Sequence, residues 1–501
     1  MVALAVAVAS CYGIKDENYP ELSPIAITAP SDTINADVGV LLHYEGLTIA
    51  SDLPVTCEWS YGPPQKNTTV EQHRFETRTV LETDSPNIDH VFTKLGSYIL
   101  RLRVDNGESI VYKFFRLNVN AGLDEGVAIL SNDDSGNADI TFVKTLTSEE
   151  RARGDQEIFQ VNPVEGMKNG RGLYMSSFNV SGMSSEQSGL VVATGDDDGT
   201  MYLFAPKTFE LVNSDKMSAW GTKFKEFSGE YAGAHDFGVF FNSDDGRVFR
   251  FDLILGYLSD ITNYPESLDR AYGAIHRSNA AGATTIYPFF FNEDLVATRT
   301  TVSSGVKTYV QEGYKVVNIA TARTFFNTYS VYALLQSISD PTSYRIQRLY
   351  RLSGGTLTWF TVMDDDNVEQ VYHMDFSTSS LKMDRSSKMV NTKASNDVYY
   401  TFDNAIYRWS LSAPPPTRPS ITLPAGEMIR DIAVNYMGRG GSASGFDPGE
   451  DLLYIVTYNP SRPGESKGSL YVYRFSDDSL VQAYEGICHD PVSVIYKYRL
   501  S

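Results

Sequence analysis

DDDGTMYLF, residues 196–204, is the stretch that decides the fold, because it joins an acidic turn and a glycine to an alternating strand that ends in an aromatic residue. An apolar strand, Leu190–Ala193, enters this turn, so the unit is strand, polar turn, strand. Similar units follow at Gly246–Phe251 (GRVFRF), Asn404–Trp409 (NAIYRW) and Gly468–Tyr473 (GSLYVY), with fainter copies at Gly136, Gly305 and Tyr344.

The spacing of these copies predicts a β-propeller-like domain over residues 127–501. Successive copies lie roughly 40 to 63 residues apart, near the length of a four-stranded propeller blade with its loops. About 375 residues at that spacing correspond to about seven blades, with six or eight as alternatives. A row of consecutive sandwich domains is the competing arrangement, but the repeat unit is too short for a separate sandwich core.

Composition indicates an all-β protein and limits its partners. The chain has 501 residues, too many for one ordinary core, and it contains 31 Tyr and 26 Phe, which are typical of strands. Its 62 acidic and 42 basic residues give a net charge of −20, and such a surface repels polyphosphates and anionic lipid head groups. We therefore predict no nucleic-acid partner and no membrane contact except through a lipid anchor.

Residues 19–120 are predicted to form one small β-sandwich, which a polar linker at 121–126 separates from the repeats. Within this region Ser97–Val104 alternates as a strand with one buried face does, and an earlier strand, Val55–Ser60, carries a central tryptophan, Trp59. About 100 residues with turns every 8–15 positions fit an immunoglobulin-type sandwich.

Two segments of this sandwich resemble the polycystic-kidney-disease (PKD) domain family. They are Cys57-Glu58-Trp59-Ser60-Tyr61-Gly62 and the downstream run His90–Val104 (HVFTKLGSYILRLRV). In that family a tryptophan strand is followed by an ending of the form H-x-[YF]-x-x-x-G-x-Y-x-h-x-L-x-V. The D-F-G-D-G turn usual after the tryptophan strand is missing here, so the domain is PKD-like. The resemblance implies a spacer or adhesion module and no chemistry.

The N-terminal residues predict a lipid anchor. The apolar run Val2–Ala9 leads through the small residues Ala9-Ser10 to Cys11, the arrangement at the end of a bacterial lipoprotein signal. Ten residues reach only about half of a bilayer core of about 30 Å, so a membrane-spanning helix is excluded. Residues 1–10 are thus expected to be the remnant of a signal peptide, and residues 11–18 a tether that Cys11 attaches to lipid. An ordinary cysteine at this position is the alternative.

The triplet Lys15-Asp16-Glu17 resembles the surface-export signal of Bacteroidetes lipoproteins. With a PKD-like domain and a propeller-like domain behind it, the chain is similar to PKD-like family lipoproteins of that group. The resemblance implies an outer-membrane protein facing the cell exterior beside a TonB-dependent transporter and its lidding lipoprotein. There it would bind or present a nutrient ligand, a peptide or a glycan, without enzymatic activity. The alternatives are an adhesive or structural surface protein and a propeller hydrolase.

Four acidic turns are candidates for calcium binding. Calcium takes six to eight oxygen ligands, which Asp-rich loops supply. None of the four follows the EF-hand spacing, however, and Asp and Gly are also the residues that a tight hairpin turn requires. A hairpin turn is therefore the preferred interpretation, and we predict no cofactor. The turns are Asn132-Asp133-Asp134, Asp196-Asp197-Asp198-Gly199, Asp244-Asp245-Gly246 and Asp364-Asp365-Asp366-Asn367.

No other motif predicts catalysis or a metal centre. The seven histidines lack the short spacing of zinc ligands, and no G-x-S-x-G serine elbow occurs. The acidic turns do not match the repeated Asp-box turn of sialidases. Cys57 and Cys488 are interpreted as buried thiols. The sequence therefore names no catalytic, metal-binding or ligand-binding residue, although long loops such as Gly438–Gly449 are where binding on a propeller usually occurs.

Overall fold

The computed structural model describes residues 22–497 with internal gaps. The gaps are 39–40, 64–77, 82–83, 95, 121–122, 124, 147–150, 153–156, 162–166, 168–169, 180–187, 207–208, 234–235, 262, 266, 278–283, 300–304, 326–327, 354–355, 360–361, 364–368, 371–372, 392–396 and 435–451. Strands are the dominant regular structure of the described residues, and a short 3-10 helix lies at Met217–Trp220. No helix in this part of the chain has the length and apolar character needed to cross a membrane. The chain divides into two compact units, Met1–Asn120 and Ala121–Ser501.

The first unit consists of two layers of strands. Its strands are β1 (Ile25–Thr28), β2 (Thr33–Asp37), β3 (Leu41–Tyr44), β4 (Thr48–Ser51), β5 (Thr56–Gly62), β6 (Thr79–Val80), β7 (Ile88–Val91), β8 (Gly96–Asp105) and β9 (Ile110–Asn120). One layer is a five-stranded sheet in the order β2-β9-β8-β5-β6, in which β2 runs parallel to β9. The pairs β1-β4 and β3-β7 supply the residues that pack against it.

Trp59 lies at the centre of the core between these layers. Its side chain is fully buried, and its ring centroid lies 5.5 Å from that of Phe115. Leu100 and Leu102 of the alternating strand are also fully buried, as the sequence predicts. The opposite face of that strand is not open, however, because Arg101 is only 8% exposed and donates a hydrogen bond to Glu58 at 3.3 Å. The likeness of this layered unit to PKD domains stays a prediction.

The second unit contains the remaining strands. They begin with β10 (Gly126–Asn132), β11 (Ala138–Lys144), β12 (Ile158–Val161), β13 (Gly172–Asn179), β14 (Ser188–Thr194), β15 (Thr200–Phe204), β16 (Leu211–Lys216), β17 (Phe224–Gly233), β18 (Asp236–Ser243), β19 (Val248–Asp252), β20 (Leu258–Asp260), β21 (Arg270–Arg277), β22 (Thr284–Phe291), β23 (Leu295–Thr298) and β24 (Lys307–Val310). They continue with β25 (Tyr314–Phe325), β26 (Thr328–Ser337), β27 (Ser343–Ser353), β28 (Thr356–Trp359), β29 (Val362–Met363), β30 (Glu369–Gln370), β31 (His373–Ser377), β32 (Met389–Asn391), β33 (Val398–Phe402), β34 (Ala405–Trp409), β35 (Ile421–Thr422), β36 (Met428–Val434), β37 (Leu452–Tyr458), β38 (Gly468–Arg474), β39 (Ser479–Cys488) and β40 (Asp490–Lys497).

These strands form seven antiparallel sheets among the described residues, and β29 and β30 form a separate pair. We call the sheets blades 1 to 7. In strand order they are β40-β10-β11-β12, β13-β14-β15-β16, β17-β18-β19-β20, β21-β22-β23-β24, β25-β26-β27-β28, β32-β33-β34-β35 and β36-β37-β38-β39, with β31 also paired to β27 in blade 5.

The blades form a closed ring. The first strand of each blade contacts the first strand of the next, and the series β40, β13, β17, β21, β25, β32, β36 returns to β40. The space that these seven strands enclose is the central channel. Closure depends on β40, which comes from the end of the described chain and pairs with β10, so that Ala128 lies opposite Ile495. The unit is therefore β-propeller-like, as the repeat spacing predicts.

Aromatic and branched side chains fill the spaces between neighbouring blades. Phe289 of blade 4 and Tyr350 of blade 5 are both buried there, with ring centroids 5.4 Å apart. Tyr399 of blade 6 meets Phe475 of blade 7 in the same way, at 4.5 Å. Tyr and Phe thus stabilise the contacts between these neighbouring sheets, where edge-to-face ring contacts add to the burial of apolar area.

The repeats read from the sequence correspond to the turn between the second and third strands of a blade. Gly199, Gly246, Asn404 and Gly468 stand at the start of β15, β19, β34 and β38. The prediction that Gly305 precedes the third strand of a blade is wrong, because this glycine precedes β24, the fourth and outermost strand of blade 4. The third strand of blade 4 follows Asn292 instead, whose side-chain oxygen accepts the amides of Asp294 and Leu295 at 2.8 and 2.9 Å. An Asn-capped turn needs no glycine, so the glycine signal is absent there.

Candidate functional site

One end of the ring carries acidic turns from successive blades. Because the chain runs through every blade in the same direction, the turns between second and third strands meet at the same end. At least one acidic residue in each of the first six of these turns is exposed to solvent. Those exposed residues are Asp134, Asp197, Asp244, Asp245, Glu293, Asp294, Asp340 and Asp403. We call this end of the unit the acidic-turn face.

The carboxylates of this face stabilise the turns in which they lie. Asp133 accepts the backbone amides of Ser135 and Asn137 at 2.9 and 2.8 Å, and these bonds lower the pKa of its carboxyl. Asp196 accepts the amide of Gly199 at 2.6 Å. No group of three His, Cys, Asp or Glu side chains within the described ranges is placed to hold a metal ion. The geometry is that of hairpin turns closed by Asx side chains.

Two further acidic turns are tied to neighbouring groups. Asp245 accepts a bond from Arg247 Nε at 2.9 Å, and this guanidinium is the main cause of a depressed pKa at that carboxyl. Asp244 accepts the Thr222 hydroxyl, which lies on the segment between blades 2 and 3, and its pKa is also lowered. The carboxylates of Asp133, Asp244 and Asp245 therefore remain ionised well below neutral pH and keep their turns negative.

Several residues selected from the sequence lie outside the described residues. They include the predicted lipid-attachment residue Cys11 and the export signal Lys15, Asp16 and Glu17. The acidic run Asp364–Asn367 and the Gly-rich segment Gly438–Gly449 also lie outside them.

A segment between blades 5 and 6 reaches the channel mouth. Asp384 closes a tight turn there by accepting the amides of Ser386 and Ser387 at 2.8 and 3.1 Å. The turn directs Arg385 to Asp269, at the start of blade 4, with a nitrogen-to-oxygen distance of 2.6 Å. Arg270, the next residue of blade 4, bonds to Glu226 of blade 3 at 3.1 Å. These two ion pairs link the segment between blades 5 and 6 to blade 4, and blade 4 to blade 3, at the acidic-turn end of the channel.

Asp431 is a carboxylate of the channel wall whose pKa is raised by its surroundings. It lies on β36, where its Oδ2 accepts the Val494 amide of β40 at 3.0 Å. It retains partial contact with solvent, but protein surrounds it elsewhere. Loss of hydration raises the pKa of its carboxyl, and the Lys388 ammonium opposes this rise. The preceding residue, Arg430, forms a two-pronged ion pair with Asp490 at 2.8 and 3.1 Å.

We expect Asp431→Asn to stabilise the protein at neutral pH. The folded pKa of Asp431 is raised, so the native state binds the proton more tightly than the unfolded chain. Stability is then greatest below the unfolded pKa, about 3.9, and falls as pH rises through the folded value. Asparagine keeps the acceptor for Val494 and carries no charge. The variant should therefore unfold at a higher denaturant concentration than the wild type at neutral pH.

Denaturant unfolding of both proteins between pH 4 and pH 8 measures this effect. The stability difference should be largest at pH 8 and shrink toward pH 4. Asp134→Asn is the matched control, because Asp134 is exposed on a turn. Equal pH profiles for wild type and Asp431→Asn would contradict the burial argument.

A concave groove lies beside the turn between β37 and β38, the second and third strands of blade 7. It has a volume of about 750 Å³ and lies between the loop after β37 and the end of β39. Arg462 forms part of its lining, and its guanidinium donates to Glu427 at 2.9 Å and to the carbonyl of Lys467 at 3.2 Å. Glu427 is itself only 3% exposed and also accepts from Thr457 and Asn459. The groove therefore rests on a buried, fully bonded ion pair.

Sequence reasoning did not select Asp431, Glu427 or Arg462. One signal was present in the run Glu427–Val434 (EMIRDIAV), where Arg430-Asp431 interrupts an otherwise apolar strand. A charged pair inside such a strand indicates groups with polar partners on a neighbouring element, and here both residues bond to β40 of the adjacent blade.

The two described cysteines are unpaired and buried, as interpreted from the sequence. Burial raises the pKa of the Cys488 thiol to about 12 and also raises that of Cys57. A thiol that stays protonated at neutral pH is a poor nucleophile. The imidazole of His43, unlike the two thiols, is exposed. The carboxylates of Asp89 and Glu45 contact its two ring nitrogens and raise its pKa.

We therefore expect both thiols to resist modification in the folded protein. In a Cys11→Ser background, a chromogenic disulfide reagent at pH 8 should label less than a tenth of the Cys57 and Cys488 thiols in the time that labels free cysteine completely. Full labelling should follow addition of guanidinium chloride. Rapid labelling of one thiol before unfolding would show that this thiol is accessible in the folded protein and would contradict the prediction.

Comparisons with known proteins add likenesses of fold at low identity. No family model and no curated protein matches the chain. A quinonprotein alcohol dehydrogenase-like protein from Bacteroides thetaiotaomicron is similar with a TM-score of 0.44 and 13% identity, over 94% of this chain and 97% of that one. A DUF4784 family protein from Bacteroides caccae is similar with a TM-score of 0.32 and 8% identity, over 95% and 99%. The RRP9 WD40 repeats are similar with a TM-score of 0.34 and 9% identity, over 65% and 84%.

Proposed function

We propose that this chain is a lipid-anchored accessory protein of the outer membrane, exposed on the cell surface. In this proposal it binds or presents a nutrient ligand, a peptide or a glycan, beside a TonB-dependent transporter and its lidding lipoprotein. The observation that carries the proposal is the N-terminal sequence, in which Val2–Ala9 leads to Cys11 and Lys15-Asp16-Glu17 follows. Two acyl chains on Cys11 would supply stable anchoring.

The ring-shaped unit supports a binding role in this proposal. Its acidic turns are held by their own amides and by neighbouring side chains, as at Asp133 and Asp245. Such turns offer fixed, charged contact points at one end of the ring, which suits recognition of a partner or ligand. A propeller with ordered turns at one end can present them to a large ligand without moving.

Fractionation of cells that carry targeted variants tests the location. Cys11→Ser should release the protein from the membrane fraction, because the lipid can no longer be attached. Replacing Lys15, Asp16 and Glu17 by Ala should leave the protein lipidated but shielded from protease added to intact cells. Membrane retention of Cys11→Ser, or cleavage of the triple variant on intact cells, would overturn the proposal.

A mild-detergent pull-down from native outer membranes tests the partners. Recovery of a TonB-dependent transporter with its lipoprotein lid is the expected result. Recovery of an abundant surface protein without a transporter would favour an adhesive role instead.

A further inference from the structure

Two buried charged groups, Arg462 and Glu427, form the floor of the blade 7 groove, and burying them costs hydration free energy. The side chain of Arg462 is 14% exposed and that of Glu427 is 2% exposed. Removing two charges from water costs more than their attraction returns unless further hydrogen bonds complete the arrangement. Those bonds are present, because Thr457 and Asn459 donate to the carboxylate and the Lys467 carbonyl accepts from the guanidinium. The floor of the groove is therefore rigid.

The charges that face the groove are negative overall. The Arg462 cation is matched by Glu427 at 2.9 Å beneath it. Glu485, whose side chain is 58% exposed, lies 3.6 Å from the same guanidinium and accepts the Tyr471 hydroxyl at 3.2 Å. Burial raises the pKa of Tyr471 to about 12, so this phenol remains a donor. Glu465, which is exposed, lines the groove and has no cation paired with it among the described ion pairs.

The groove is poorly suited to an anionic ligand, because its hydrogen-bond donors are already engaged. It is also poorly suited to a sugar, because no aromatic ring of the described residues lines it. The Arg462 nitrogens already bond to Glu427, Lys467 and Ser469. Glycan sites generally stack a sugar on an aromatic face, and the residues that line this groove supply none. Two carboxylates, by contrast, accept the parallel N–H groups of a guanidinium. The exposed acidic turns at the same end of the ring, with a net charge of −20 on the whole chain, draw cations toward it.

We propose that the blade 7 groove binds the side chain of an arginine within an extended peptide, between Glu465 and Glu485. This inference rests on the proposed nutrient-binding role and selects a basic peptide over a glycan. Glu485 is held by its contacts with Arg462 and Tyr471, and Glu465 lines the same groove.

Fluorescence polarisation with two labelled peptides tests the inference. The first is a fluorescein-labelled Gly-Ser-Arg-Ser-Gly peptide, and the second carries citrulline, the neutral counterpart of arginine, at the central position. The full chain should bind the arginine peptide at least fivefold more tightly than the citrulline peptide. The preference should weaken as salt is raised, because ions screen charges that remain partly exposed.

Variants locate the binding. Glu485→Gln and Glu465→Gln should each reduce affinity for the arginine peptide at least threefold. Glu312→Gln removes an equal charge from an exposed position at the other side of the ring and should change affinity less than twofold. Ser466→Lys, which adds a cation to the groove lining, should abolish the preference without removing any contact of the floor. Thermal melts establish that each variant is folded.

Equal binding of the two peptides, or an equal effect of Glu485→Gln and Glu312→Gln, would overturn the inference. These failures are distinguishable from failure of the proposed function. If the transporter is recovered and Cys11→Ser releases the protein while no arginine preference exists, the accessory role stands and the groove assignment falls.

Discussion

Removal of residues 490–501 is expected to abolish folding of the ring unit. The deletion takes away β40, the innermost strand of blade 1, and with it the backbone pairing to β10. It also removes buried Val494 and the ion pair between Arg430 and Asp490. Each buried apolar side chain contributes about 1.5–3 kcal/mol, and a domain is stable by only about 5–15 kcal/mol. Loss of a whole inner strand therefore exceeds the available stability.

Near-ultraviolet circular dichroism and limited proteolysis measure this loss. The truncated chain should lack a cooperative thermal transition for residues 121–501 and should be cut within blades. A point variant provides the matched test, since Val494→Asp places a charge at a site that is 3% exposed, whereas Leu480→Asp alters a residue that is 52% exposed. Val494→Asp should unfold the ring and Leu480→Asp should not. A native melt for Val494→Asp would contradict the role assigned to β40.

Glu427→Ala is expected to cost about 3–5 kcal/mol of unfolding free energy, the usual effect of breaking a buried ion pair. The substitution leaves the Arg462 guanidinium, 14% exposed, without its main acceptor. It also strands the hydroxyl of Thr457 and the amide of Asn459, which both donate to this carboxylate. The unfolding midpoint in urea, followed by near-ultraviolet circular dichroism, reports the change.

Two further variants separate burial from simple loss of charge. Glu312→Ala, at an exposed position, should change stability by less than about 0.5 kcal/mol. Glu427→Leu combined with Arg462→Met removes both charges together and should recover most of the lost stability, because no unpaired charge is then buried. If Glu427→Ala matched the exposed control, the ion pair would have no structural role.

The ring could be predicted from the sequence because its repeating element is local. A turn such as Asp196–Gly199 and the strands on either side of it are contiguous, so alternation and turn chemistry reveal them together. The copy at Gly305 was misplaced for the same reason, since the true turn of blade 4 uses Asn292 and offers no glycine. The pairing of β40 with β10 could not be read in this way, because Ala128 and Ile495 share no local pattern.

The buried charged groups Glu427, Arg462 and Asp431 could not be identified from the sequence. Glu427 is one of 62 acidic residues, and nothing in its neighbours shows that Arg462 folds back onto it. Asp431 acquires its raised pKa only when β36 lies against β40. Both effects are products of burial between segments that are distant in the chain, which a one-dimensional pattern does not contain. The proposed N-terminal anchor is the reverse case, because the sequence pattern that predicts it is wholly local.

Closure by β40 also sets the order in which the molecule can be assembled. During synthesis β10 is made early, and its inner edge at Val127–Leu130 has no partner until Ser493–Tyr496 has been added. Pairing between such distant segments is slow, because much chain entropy must be lost before any contact forms. The six later blades can pair their own strands as they emerge, whereas blade 1 must wait for the last strand. The ring therefore stays open until β40 has been added, and proteolysis and self-association are most damaging during this interval.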